Sequence, residues 1–105
     1  MNTLLEANMI EIEEFIDYNY VIYVVKGTKT PHREDGPAIE WANGDKEWYI
    51  NGKLHRDDGP TLILADGRIF WYLNDICFDK KEEWFEALTE EQKEKVLYSE
   101  YFIRG

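Results

Sequence analysis

Only one cysteine, Cys77, and three prolines occur in the 105 residues, and basic side chains are few: 12 Lys plus Arg against 22 Asp plus Glu, a formal net charge of −10. A lone cysteine cannot close an intramolecular disulfide, so a reducing cytoplasm is the expected location. The shortage of cations argues against direct nucleic-acid binding, because a phosphate backbone is met by clustered Lys and Arg. No apolar run approaches the roughly 20 residues of a membrane span. The N-terminus has no basic region before an apolar stretch, and Glu6 interrupts the early apolar patch, so no signal peptide is expected. The negative charge is spread along the chain, −3 over residues 1–31, −4 over 32–78 and −3 over 79–105. What remains is rich in apolar and aromatic residues, with four Trp, seven Tyr and five Phe, which excludes a disordered acidic tail. The length suits one domain, 1–105.

The chain repeats itself. His32-Arg33-Glu34-Asp35-Gly36-Pro37 returns 23 residues later as His55-Arg56-Asp57-Asp58-Gly59-Pro60. Ala42-Asn43-Gly44 matches Ala65-Asp66-Gly67, and Trp48-Tyr49-Ile50-Asn51 matches Trp71-Tyr72-Leu73-Asn74. Shifted by 25, Tyr23-Val24-Val25-Lys26-Gly27 overlays Trp48–Gly52. The units are therefore a degenerate first hairpin over 10–31, repeats over 32–54 and 55–78, and a helical cap over 79–105.

Each unit reads as a β-hairpin, because Asn43-Gly44 and Asp66-Gly67 accept the positive φ of tight turns. Strands are expected at 10–16, 20–26, 38–42, 46–51, 61–65 and 68–74, joined as an antiparallel meander. Gly36-Pro37 and Gly59-Pro60 would punctuate the units, glycine for an unusual backbone angle and proline for its missing N–H. Alternation puts Ile39, Trp41, Trp48 and Ile50 on one face with Leu62, Leu64, Trp71 and Leu73. Glu40, Glu47, Tyr49, Ile63, Phe70 and Tyr72 fall on the other, which needs an apolar cover only at the last hairpin.

Helical spacing begins at residue 79. Asp79-Lys80-Lys81-Glu82 and Thr89-Glu90-Glu91-Gln92 have capping-box spacing. Helices are expected at 80–87, with Trp84, Phe85 and Leu88 on one face, and at 90–102, with Val96, Leu97, Tyr101 and Phe102. Residues 2–9 fit a helix or a strand. The fold class is α+β and β-rich, a single sheet of repeated hairpins followed by two helices.

The run His-Arg-Glu-Asp-Gly-Pro-Ala, then Asn-Gly, then Glu-Trp-Tyr-Ile-Asn-Gly-Lys resembles a tandem repeat of tailed-phage and giant-virus proteins, similar to the MORN repeat. The resemblance covers about residues 18–78. It implies hairpins stacked into one elongated sheet, a phage accessory protein, and a location in the infected bacterial cell. At Asp75-Ile76-Cys77-Phe78, where Gly-Lys-x-His would continue the pattern, the array is expected to end.

Function is less legible. His32, Arg33 and Asp35, repeated as His55, Arg56 and Asp58, could be acid–base or metal-binding groups. A signature in tandem copies more often maintains the turn between units, so these residues, with Gly36, Pro37, Gly59 and Pro60, are assigned to structure. Cys77 is expected to be a small buried residue. No catalytic residue, metal or cofactor is assigned, and no phosphate-cradling loop or nucleophile elbow occurs. The leading expectation is a non-enzymatic acidic protein-binding module that inhibits a host or anti-phage defence protein, even by occupying a basic nucleic-acid-binding site. Its contacts would be Trp41, Trp48, Tyr49 and Trp71, rimmed by Glu40, Glu47, Asp57 and Asp58. Two alternatives stay open: an enzyme or ligand-binding protein using the two His-Arg loops, and a self-associating module such as a homodimer. A membrane role is disfavoured by the charge.

Overall fold

A computed structural model describes residues 10–98. The ambiguous segment 2–9 and the end of the second expected helix, with Tyr101 and Phe102, lie outside the described residues.

The sheet is an antiparallel meander. Strands β1 (Ile12–Ile16), β2 (Tyr20–Val25), β3 (Ile39–Trp41), β4 (Lys46–Glu47), β7 (Leu62–Ile63), β8 (Ile69–Leu73) and β9 (Ile76–Phe78) lie in that order, and β5 (Tyr49–Ile50) pairs with β6 (Lys53–Leu54). The expected strand over 46–51 is divided at Trp48 into β4 and β5. The division has a structural cause. The segment before β3 bridges β2 at Val24 and Pro31, and His32 N–H donates to Tyr23 O. The chain then leaves the sheet and re-enters at Ala38, whose carbonyl accepts from the same Tyr23. One strand of the meander is thus interrupted by the loop His32–Pro37. The next repeat does the same around Trp48, whose carbonyl accepts from His55 and whose N–H donates to Thr61 O. Each His-Arg-x-Asp-Gly-Pro motif is a loop pushed out of a strand, with both of its ends bonded at one aromatic residue of the neighbouring strand.

The register corrects the expected faces. Trp41 N–H donates to Asp45 O, and Ile39 pairs with Glu47, so the turn is a three-residue loop, Ala42-Asn43-Gly44, with Gly44 at φ 104°. Ala65-Asp66-Gly67 is built alike, with Leu62 opposite Phe70. A two-residue Asn-Gly turn would have set Ile39 opposite Trp48; the additional loop residue shifts the pairing by one and exchanges the faces. Phe15, Ile22, Ile39, Glu47, Leu62 and Phe70 therefore share one face with Tyr20 and Trp41. Tyr23, Glu40, Lys46, Ile63, Ile69 and Trp71 share the other.

The array runs one strand further than expected. Asn74 and Asp75 both have positive φ (49° and 69°), as Asn51 and Gly52 do (49° and 79°), and lead into β9. Cys77 on β9 is exposed rather than buried, because Phe78 beside it takes the inward position opposite Trp71.

Helix α1 (Lys81–Glu86) and helix α2 (Glu90–Leu97) follow. The N-cap of α1 is Lys80, with no side-chain cap bond, so the expected Asp79 box does not form. Thr89 and Gln92 form the reciprocal box at α2. Both helices close the Trp71 face and not the Phe70 face: Trp71, Trp84, Leu88 and Val96 form the buried core, flanked by Leu73, Phe78 and Phe85. Trp84 is fully buried, its ring 4.7 Å from that of Trp71, and its indole N–H donates to Arg56 O.

Candidate functional site

The two motif loops are built alike from their side chains. Arg33 lies 4.1 Å over the Tyr23 ring and Arg56 lies 4.0 Å over the Trp48 ring. Arg33 donates to Asp35 (3.0 Å) and Pro37 O (3.2 Å); Arg56 donates to Asp58 (2.7 Å) and Pro60 O (3.0 Å). The glycines have a different purpose from the one expected. Neither Gly36 nor Gly59 has a positive φ; a Cβ at Gly36 would stand 3.0 Å from the Arg33 guanidinium carbon, and one at Gly59 only 2.7 Å from that of Arg56. Glycine is present so that the guanidinium can lie against the backbone.

The histidines are committed to the backbone. His32 is 2% exposed, and its Nδ1 accepts the N–H of Asn51 at 2.9 Å; His55 Nδ1 accepts from Asn74 at 3.1 Å. Accepting a backbone N–H requires Nδ1 to be the unprotonated nitrogen. The other nitrogen of His32 lies 3.4 Å from Glu34, while Asp35 is held by Arg33. In the first loop the near carboxylate of His32 is thus Glu34, and Asp35 pairs with Arg33 instead. Among the described residues no group of three or more His, Cys, Asp or Glu is placed to hold a metal ion. A groove of about 790 Å³ runs between the two loops, past Trp48, Ile50, His55, Asp57 and Lys95.

The eight expected contact residues do not make one surface. Trp71 is 6% exposed and belongs to the core, so it cannot anchor a partner. Trp48 lies beneath Arg56, Glu40 is 3.7 Å from Arg33, Asp58 is held by Arg56, and Asp57 accepts from Gln92 of α2 at 3.0 Å. These five serve the Trp71 face. Trp41, Glu47 and Tyr49 do come together on the opposite face. Trp41 is 38% exposed, and its indole N–H donates to one Glu47 oxygen at 2.7 Å while the Tyr49 hydroxyl donates to the other at 2.9 Å. Tyr20 meets Trp41 edge to face at 5.4 Å.

Sequence reasoning missed Tyr20, Phe15, Phe70 and Tyr72 as companions of Trp41; the length of the hairpin loops was the signal that would have placed them. Burial, then the hydrogen bond to Glu47, pushes the Tyr49 hydroxyl up to about 12. Tyr72 is raised by burial and then by its contact with Cys77. Chemically, the patch is a set of half-buried aromatic rings around a carboxylate whose two oxygens are already oriented by ring donors. No helix among the described residues is long and apolar enough to cross a membrane. No family model, curated protein or solved structure matches this chain.

Proposed function

We propose that this chain is a non-enzymatic, acidic protein-binding module that meets its partner through the Trp41 face. One observation carries the reading: the loops and helices pack on the Trp71 side, whereas the aromatics around Trp41 contact one another and Glu47 and remain partly open. Partly exposed Trp and Tyr around an oriented carboxylate are the side chains from which binding hot spots are made. The net charge of −10 favours a basic partner and a fast, salt-sensitive encounter. The resemblance to phage repeats extends this reading to a host or defence protein in an infected bacterial cytoplasm, met at a basic surface that otherwise holds nucleic acid.

The test is affinity capture from bacterial lysate with the wild type and a Trp41→Ala/Glu47→Lys variant side by side, followed by titration of any stoichiometric partner with purified chain. The expected result is a basic partner bound by the wild type, weakened as salt rises and at least about tenfold weaker with the variant, which is roughly 1.4 kcal/mol. Equal binding by the variant, or no partner at all, would contradict the proposal.

A further inference from the structure

Among the described residues β1 is an edge strand of the sheet, and a pocket lies beside it. Lys26 N–H donates to Glu11 O, and Asp17 N–H donates to Tyr20 O. Backbone groups alternate in direction along an antiparallel strand, so residues 11, 13, 15 and 17 face β2. The N–H and C=O groups of Ile12, Glu14 and Ile16 point to the outer edge, where no described strand pairs with them. The side chains of these three residues lie on the Trp71 face, and Ile12 and Glu14 line a pocket of about 400 Å³ between the edge strand and the first loop. Ile12 and the Tyr23 ring supply its apolar wall, and Glu14, Glu34 and Asp35 supply carboxylates. Arg33, which also lines it, is stacked on Tyr23 and paired with Asp35. The pocket therefore carries an excess of negative charge over an apolar floor.

We propose that the outer edge of β1 accepts an extended segment of a partner protein as an added strand, with a Lys or Arg of that segment seated in the pocket. The backbone ladder supplies affinity without regard to sequence, and a pocket for alternate side chains supplies selectivity. A long cationic side chain fits both halves of this pocket: its stem lies along Ile12 and Tyr23, and its head reaches Glu34 and Asp35. A second copy of the chain is disfavoured as occupant. Pairing β1 with itself gathers Glu11, Glu13, Glu14 and Asp17 of two copies, each chain carrying −10. The site is separate from the Trp41 face, so its failure leaves that reading intact.

The probe is a short peptide alternating lysine with valine, compared with the same peptide carrying glutamine for lysine and with one N-methylated on alternate amides. Amide-resolved NMR and hydrogen exchange follow the full chain at low salt. The lysine peptide is expected to slow exchange at Ile12, Glu14 and Ile16 and to shift Glu34 and Asp35. Replacing lysine by glutamine should weaken binding about tenfold, and Glu34→Gln in the protein should reproduce much of that loss without changing the melting temperature. The N-methylated peptide should not bind. Unchanged exchange at the three edge amides under saturating peptide would overturn the proposal, as would equal binding of the N-methylated or glutamine peptide, or shifts confined to the Trp41 face.

Discussion

Trp41 and Trp71 each stand in a strand beside a glycine-containing turn, yet the fold uses them in opposite ways. Trp71 is closed over by Trp84 and by Val96 of the second helix and keeps 6% of its surface. Trp41 meets Tyr20 edge to face, donates to Glu47 and keeps 38% of its surface. The difference is one of covering material. Along the Trp71 face, Tyr23, Trp48 and Trp71 hold corresponding stations, and the first two are capped by Arg33 and Arg56 from the loops. At the third station no further loop follows, and Trp84 of α1 closes the array in place of an arginine. Among the described residues the Trp41 face receives no such arginine or tryptophan cap. In a one-layer sheet, one side can therefore be closed as core while the other stays partly open.

The comparison can be broken most forcefully at the cap. Trp84→Ala should cost about 3–5 kcal/mol, because it leaves a cavity against Trp71 and removes the donor to Arg56 O. Urea denaturation would register this as a lower midpoint at unchanged slope. Gly59→Ala should cost about 1–3 kcal/mol by pushing Arg56 off Trp48, although the backbone angle there suits any residue. If Gly59→Ala melts with the wild type, the account of the loop glycines is wrong. Thr89→Ala should cost about 1 kcal/mol through loss of the α2 capping box, read by the same denaturation. Trp41→Ala should change stability by less than about 1 kcal/mol while removing partner binding, the reverse of Trp84→Ala.

The smallest expected effect is alkaline. Tyr49, pushed up to about 12, binds its proton more tightly folded than unfolded, and Tyr23 and Tyr72 shift the same way. Their contribution is fully present below the unfolded value near 10 and is lost as pH rises from there through the folded value. Melting temperatures measured across that window should fall, and Tyr49→Phe should fall less steeply.

Much of the fold was legible because the repeat is nearly literal: the 23-residue offset located the hairpins and the two loops, and the Thr89-x-x-Gln92 spacing located α2. Misjudged features turned on a single residue or on contacts between distant ones. Counting Asn43-Gly44 as a two-residue turn, rather than Ala42–Gly44 as a three-residue loop, put Trp48 and Trp71 on one face with Trp41. Cys77 looked like a junction residue because Asp75 does not resemble Gly52, yet Asp accepts the same left-handed backbone at modest cost. Glycine in Gly36-Pro37 and Gly59-Pro60 invites an explanation by backbone angle; the guanidinium pressed against it is visible only in three dimensions. Of the side chains expected to share one surface, Trp41, Glu47 and Tyr49 are together, and Glu40, Asp57 and Asp58 are occupied on the opposite side.

The Trp71 face is the protein's own core, and the Trp41 face is the one proposed to meet a partner. Hydroxyl-radical footprinting of the free chain and of its complex, read residue by residue by mass spectrometry, tests both halves at once. Trp41 and Phe15 should label readily in the free chain, Trp71 and Trp84 should not, and the partner should protect Trp41. Protection of Trp41 in the free monomer, or labelling of Trp41 that the partner leaves unchanged, would contradict the account.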